Sequence, residues 1–171
     1  MFGENGVFSG CKSLENIVIP EGVKVLGNSI FGACTNLTSV TIPEGVTTLL
    51  TSAFAMCTSL TEVVLPSTVE YLGMSAFNGC SNLKYITLSE SLTYIGQYCF
   101  SQCSSLESVV IPLSVTVIDN DAFAVNPLLS IYCEASSRPS DWKYSWNKND
   151  CPVYYSGEWE YDENKMPMPI I

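Results

Sequence analysis

The chain is 171 residues long, 47% apolar and 14% charged, which suffices for the core of one domain or one short repeat array and excludes a disordered chain. Seven basic against seventeen acidic residues give a net charge of −10, so there is no basic surface to neutralise a phosphate backbone and no nucleic-acid partner is expected. Histidine is absent, which removes the usual near-neutral proton carrier and the commonest transition-metal ligand.

From Met1 and Phe2 the chain runs straight into the return half of a coil at Gly3 to Cys11, so it is expected to open inside an array, with no cover at its front. Phenylalanine then recurs at Phe8, Phe31, Phe54, Phe77, Phe100 and Phe123, a constant step of twenty-three. Three residues behind follow Cys11, Cys34, Cys57, Cys80 and Cys103, and three behind those Leu14, Leu37, Leu60, Leu83 and Leu106. The columns beginning at Ile17 and Ile19 place apolar residues at alternate positions, the period of a short strand. Proline at 20, 43, 66 and 112 ends the strand, with Ser89 as the exception, because its ring fixes φ and its nitrogen carries no donor. After it, Val23 and Leu26 and their equivalents stand three apart, and small residues such as Ala53, Ala76 and Ala122 precede the phenylalanine, which predicts a short helical return. One such coil buries too little to fold alone, so the coils must stack as a solenoid.

The spacing Leu37-x-x-Val40-x-Ile42, with the units AFNGCSNLKYITL (76–88) and SIFGACTNLTSVTIPEGV (29–46), resembles the BspA-like class of leucine-rich repeat. The resemblance covers residues 3 to about 133. It implies an α/β fold: a right-handed solenoid with a parallel β-sheet of short strands on the concave face and short helical or 3-10 returns on the convex face. It also implies a cell-surface or secreted location, a role in adhesion or protein binding, and no catalytic residues. One departure is that Gly22, Gly45, Thr68, Ser91 and Ser114 hold the position usually given to Asn or Cys after the strand, so no asparagine ladder is expected there.

About six coils, the first partial, are expected over residues 1–133. Phe123 to Leu128 is one residue shorter than Phe100 to Leu106, which places Leu128, Ile131 and Cys133 at the core positions of the last strand. Residues 134–157 read as a C-terminal cap: Trp142 and Trp146 break the repeat, CPVYY (151–155) is one more strand, and bulky aromatics cover a large area of an open end. The segment also resembles the terminal segment of BspA-like proteins. Residues 158–171 read as a tail or linker.

Five of the eight cysteines share one inward column, where thiols act as small hydrophobes and an odd number cannot pair completely. Cys133 and Cys151 lie on consecutive predicted strands, where either a disulfide or simple stacking is open. Cys99 and Cys103 have no histidine beside them, and Glu158, Glu160, Asp162 and Glu163 lack the spacing of a calcium loop, so no metal is expected. Nor is any cofactor, since phosphate-binding and nucleophile-elbow glycine patterns are missing. The longest nearly apolar run, Val109 to Ile118, is interrupted by Pro112, Ser114 and Thr116, so no membrane insertion is expected, and no signal peptide is legible.

The expected function is a non-catalytic protein-binding or adhesion module, with a host or extracellular-matrix protein held on the concave sheet. Its candidate residues are Tyr85, Glu62, Thr41, Val64, Thr87 and Ser108, with Tyr132 prolonging the face toward the cap. The alternatives are a structural stalk, for which coil number alone matters, and carbohydrate binding by Trp142, Tyr144, Trp146, Trp159 and Tyr161. Burial of the two cap tryptophans would remove the last.

Overall fold

The computed structural model describes residues 6–148 and 150–170, so the opening expected at Met1 and Phe2 lies outside the described residues. In chain order the strands are β1 (Asn16–Val18), β2 (Val25–Leu26), β3 (Ser39–Thr41), β4 (Thr48–Leu49), β5 (Glu62–Val64), β6 (Tyr71–Leu72), β7 (Tyr85–Thr87), β8 (Tyr94–Ile95), β9 (Ser108–Ile111), β10 (Val117–Ile118), β11 (Ser130–Cys133), β12 (Val153–Tyr154), β13 (Trp159–Tyr161) and β14 (Pro167–Pro169). Each repeat contributes one strand to each of two parallel ladders, and the chain winds between them as a β-solenoid.

The first ladder runs β12-β11-β9-β7-β5, with the pair β1-β3 lying against β5. The second runs β10-β8-β6-β4-β2. Register repeats the sequence period: Asn16 pairs with Ser39, Glu62 with Tyr85, and Tyr71 with Tyr94. Between the ladders, the phenylalanines from Phe8 to Phe123 stack with centroids 5.3 to 5.5 Å apart. Leu37, Leu60, Leu83 and Leu106 are fully buried beside them.

The cysteines do more than fill space. Cys34 Sγ donates to the carbonyl of Phe8, Cys57 to Phe31, Cys80 to Phe54 and Cys103 to Phe77, at 3.0 to 3.2 Å. Asn126 continues this column, its Nδ2 donating to the carbonyls of Phe100 (2.8 Å) and Phe123 (2.9 Å). Each of the four phenylalanine carbonyls bonded by a thiol also accepts a main-chain N–H of its own coil, so the thiol occupies the second lone pair and is itself given an acceptor in the dry interior. All eight cysteines are free, including Cys133 and Cys151, so the cap holds no disulfide.

The structure corrects four expectations. The returns are not helical or 3-10: no helix forms among the described residues. Ser29 and Ala33 adopt φ of 51° and 58°, and left-handed pairs recur at Ser52 and Met56, Ser75 and Gly79, Tyr98 and Gln102, and Asp121 and Val125. A left-handed residue at every fourth position ends a helix before it can propagate. Alternate amides close turns within the coil, as in Gly32 N–H to Ser29 O and Cys34 N–H to Phe31 O. The others, such as Phe31 N–H to Ala53 O and Ala33 N–H to Ala55 O, reach the next coil. The return is thus a chain of β-turns hydrogen-bonded sideways like a strand.

The register of the last coil also differs. Leu128 is 61% exposed, whereas Leu129 is 2% exposed and holds the core position one full repeat after Leu106. The deleted residue falls after Leu129, because Ile131 pairs with Val109. Nor does Trp146 break the repeat. It stands one full repeat after Phe123, meets that ring edge-on at 6.0 Å, and its carbonyl accepts the Phe123 N–H.

Finally, the segment expected to be a tail contains an antiparallel hairpin of β13 and β14. Asp162 Oδ1 accepts from the N–H groups of Asn164 and Met166, which closes the turn on Lys165 in the left-handed region, φ 61°. Trp159 Nε1 donates to Cys133 O at 3.0 Å and ties the hairpin to β11.

Candidate protein-binding face

Strand alternation decides which side chains of the first ladder reach solvent. Val63, Ile86 and Val109 point into the core, while Glu62, Val64, Tyr85 and Thr87 stand outside, as does Thr41 on β3. Ser108 is half-buried. Register makes Glu62 a direct neighbour of Tyr85, Val64 of Thr87, and Tyr85 of Ser108. Val64 is 65% and Tyr85 40% exposed, so the face carries apolar surface that no neighbouring coil covers. The Tyr85 hydroxyl donates to Glu107 Oε2 at 3.2 Å, and that carboxylate raises the pKa of the phenol. At neutral pH the phenol therefore keeps its proton.

Tyr132 does not prolong this face. It is 5% exposed, stacked on Tyr154 at 5.2 Å and covered edge-on by Trp159 at 5.6 Å. The terminal hairpin is what buries it. The two cap tryptophans are buried as well, Trp142 donating from Nε1 to Val115 O, so they offer no stacking surface to a sugar.

Between β7, β9 and the hairpin lies a cavity of about 620 Å³. Its lining includes Tyr85, Val109 and Val110 from the ladder, and Tyr161, Lys165, Met166 and Pro167 from the hairpin, with Glu90 at the bend after β7. Burial raises the pKa of Tyr161, and the nearby carboxylates of Glu134 and Glu90 raise it further. Sequence reasoning missed Glu90, Lys165 and Met166, and named Tyr161 only as a ring for stacking on sugars. The usable signal was the alternation of Trp159 and Tyr161, followed by an acidic turn and a second short extended run. Those features spell a hairpin rather than a tail.

Residues 4–130 match the family model of the BspA type leucine-rich repeat region, in six copies. The chain belongs to that family. The BspA-type chain is similar to a leucine-rich repeat protein of T. pallidum, with a TM-score of 0.73 and 25% identity over 88% of this chain and 64% of that one. It is also similar in fold to leucine-rich repeat proteins of Eubacterium ventriosum and Bacteroides ovatus, each 21% identical. Their TM-scores are 0.61 and 0.57, covering 90% of this chain in both cases and 47% and 55% of the other chains. The chain thus spans about half to two thirds of the length of these relatives. No curated protein matches it.

Leucine-rich repeats of this family are repeat modules of protein interaction, and they are generally not enzymes. Among the described residues, no helix is long and apolar enough to cross a membrane, and no three His, Cys, Asp or Glu side chains group as metal ligands.

Proposed function

We propose that this chain is a non-catalytic protein-binding module of a bacterial surface or secreted protein, serving adhesion, and that its partner lies across β5, β7 and β9 around Tyr85. One observation carries the reading: Tyr85, Glu62, Val64 and Thr87 form a contiguous exposed patch on a rigid parallel ladder, held in fixed register. A rigid patch loses little entropy on binding, and aromatic residues concentrate interface energy. The net charge of −10 favours a neutral or basic partner and makes association sensitive to salt.

The test is binding of the folded chain to purified extracellular-matrix proteins and to glycans, followed by Tyr85→Ala. Side-chain loss at this exposed strand position leaves the melting curve in place and weakens a protein partner roughly fivefold or more. Capture of glycans alone, or full affinity in both Tyr85→Ala and Glu62→Ala, overturns the reading.

A further inference from the structure

The cavity beside Tyr85 is asymmetric in a way that indicates what fills it. Its floor is apolar, with Val110 on the ladder and Met166 and Pro167 on the hairpin. Its surroundings are acidic. Glu90 lines it, Glu107 is bonded to the Tyr85 hydroxyl, and Glu62 stands beside Tyr85 on the neighbouring strand. Among the described residues, Lys165 is the one basic residue in the lining. The lining sets Glu90 against Lys165, and beyond it Glu62 and Glu107 outnumber Lys84, which stands one coil before Glu107; with the two tyrosine rings this complements a chain that carries both apolar and cationic side chains. Carboxylates and tyrosine faces both attract ammonium and guanidinium groups. A segment laid extended over the ladder offers alternate side chains to it, so an apolar side chain can enter the cleft while its neighbours reach the acids.

We propose that the cleft between β7, β9 and the hairpin takes an apolar side chain of an extended basic peptide segment, whose lysine or arginine side chains meet Glu90, Glu107 and Glu62. This rests on the reading of the ladder as a protein-binding face and adds the chemical class of the partner. It also gives the hairpin a function: Tyr161 and Met166 supply the wall that the solenoid lacks.

The probe is a set of short labelled peptides of alternating Lys-Leu, Glu-Leu and Lys-Ser, titrated by fluorescence anisotropy to about 1 mM with the full chain. The expected result is that Lys-Leu binds and the other two bind roughly tenfold more weakly or not at all. Glu90→Gln and Tyr161→Ala each weaken Lys-Leu roughly fivefold, Lys165→Gln strengthens it, and Glu21→Gln, exposed in an early coil, leaves it unchanged. Glu90→Gln alters only the solenoid, so it remains decisive where Tyr161→Ala loosens the hairpin.

Equal binding of Glu-Leu removes the charge argument, and equal binding of Lys-Ser leaves the cleft without a role. Either overturns the proposal, as does an absence of binding. If Tyr85→Ala weakens Lys-Leu while Glu90→Gln and Tyr161→Ala do not, the cleft proposal falls and the exposed-face reading stands. If none of the three matters, both fall.

Discussion

The thiol of Cys57 lies 3.1 Å from the carbonyl oxygen of Phe31, one coil back, and that same oxygen accepts the main-chain N–H of Cys34 at 3.2 Å. One buried acceptor is thereby shared between the turn of its own coil and the side chain of the next. Each of Cys34, Cys57, Cys80 and Cys103 is thus an inter-coil hydrogen bond as well as a filler of volume, and stacking is specified by chemistry at the same point where it is specified by packing.

Burial pushes Cys57, Cys103 and Cys133 from the ordinary 9.0 up to about 12, and raises Cys80 and Cys99 well above it. An acid with a raised folded pKa holds its proton more tightly in the native state. Its contribution is complete below pH 9.0 and is lost as pH climbs from there toward about 12. Denaturant midpoints are expected to hold steady below that window and fall within it, with a shallower fall in Cys103→Ala. Native labelling by a polar thiol reagent should modify the half-exposed Cys11 first and the buried thiols only on unfolding. Rapid native modification of Cys57 or Cys80 would show the column to be open.

Asn126 supplies two donors to buried carbonyls while its own Oδ1 has no partner. Asn126→Ala removes both donors and is expected to cost about 2–3 kcal/mol in chemical denaturation. Asn126→Cys restores the thiol of the upstream column and discards the unpartnered oxygen, so it should cost less than the alanine variant. The reverse order would mean that shape rather than hydrogen bonding governs the position.

Leu60 is fully buried and Thr61 is exposed. Leu60→Asp places a carboxylate without a partner in the middle of the leucine column and is expected to abolish the cooperative melt, whereas Thr61→Asp should shift stability by about 0.5 kcal/mol or less. Parent-like melting of both variants would refute the inward assignment.

Val125 is a β-branched residue at φ 62°, and it is 53% exposed. The left-handed region costs such a residue about 1–2 kcal/mol, of which glycine gives back about half through its freer unfolded chain. Val125→Gly is therefore expected to raise the denaturation midpoint by an amount equivalent to about 0.5–1 kcal/mol. A lowered midpoint would show that the valine makes a packing contact that outweighs its backbone cost.

Every interior coil meets the same neighbour on either side, so one solution to packing recurs once per coil and writes itself into the sequence as columns. Phe54, Cys57, Leu60 and Val63 could be assigned to the core, and Glu62, Val64 and Tyr85 to the outside, from that period and strand alternation alone. The return conformation could not. Apolar residues three apart suit a helical turn and a β-turn chain equally, and the choice depends on whether amides find partners within the coil or in the next one. The end of the array was illegible for a related reason. There the repeat stops, and the fate of Tyr132 depends on where Trp159, beyond the cap strand β12, comes to rest. Periodicity reports contacts between equivalent positions, while the cover over β11 and the cleft beside Tyr85 arise from contacts between non-equivalent ones, which only the tertiary structure brings together.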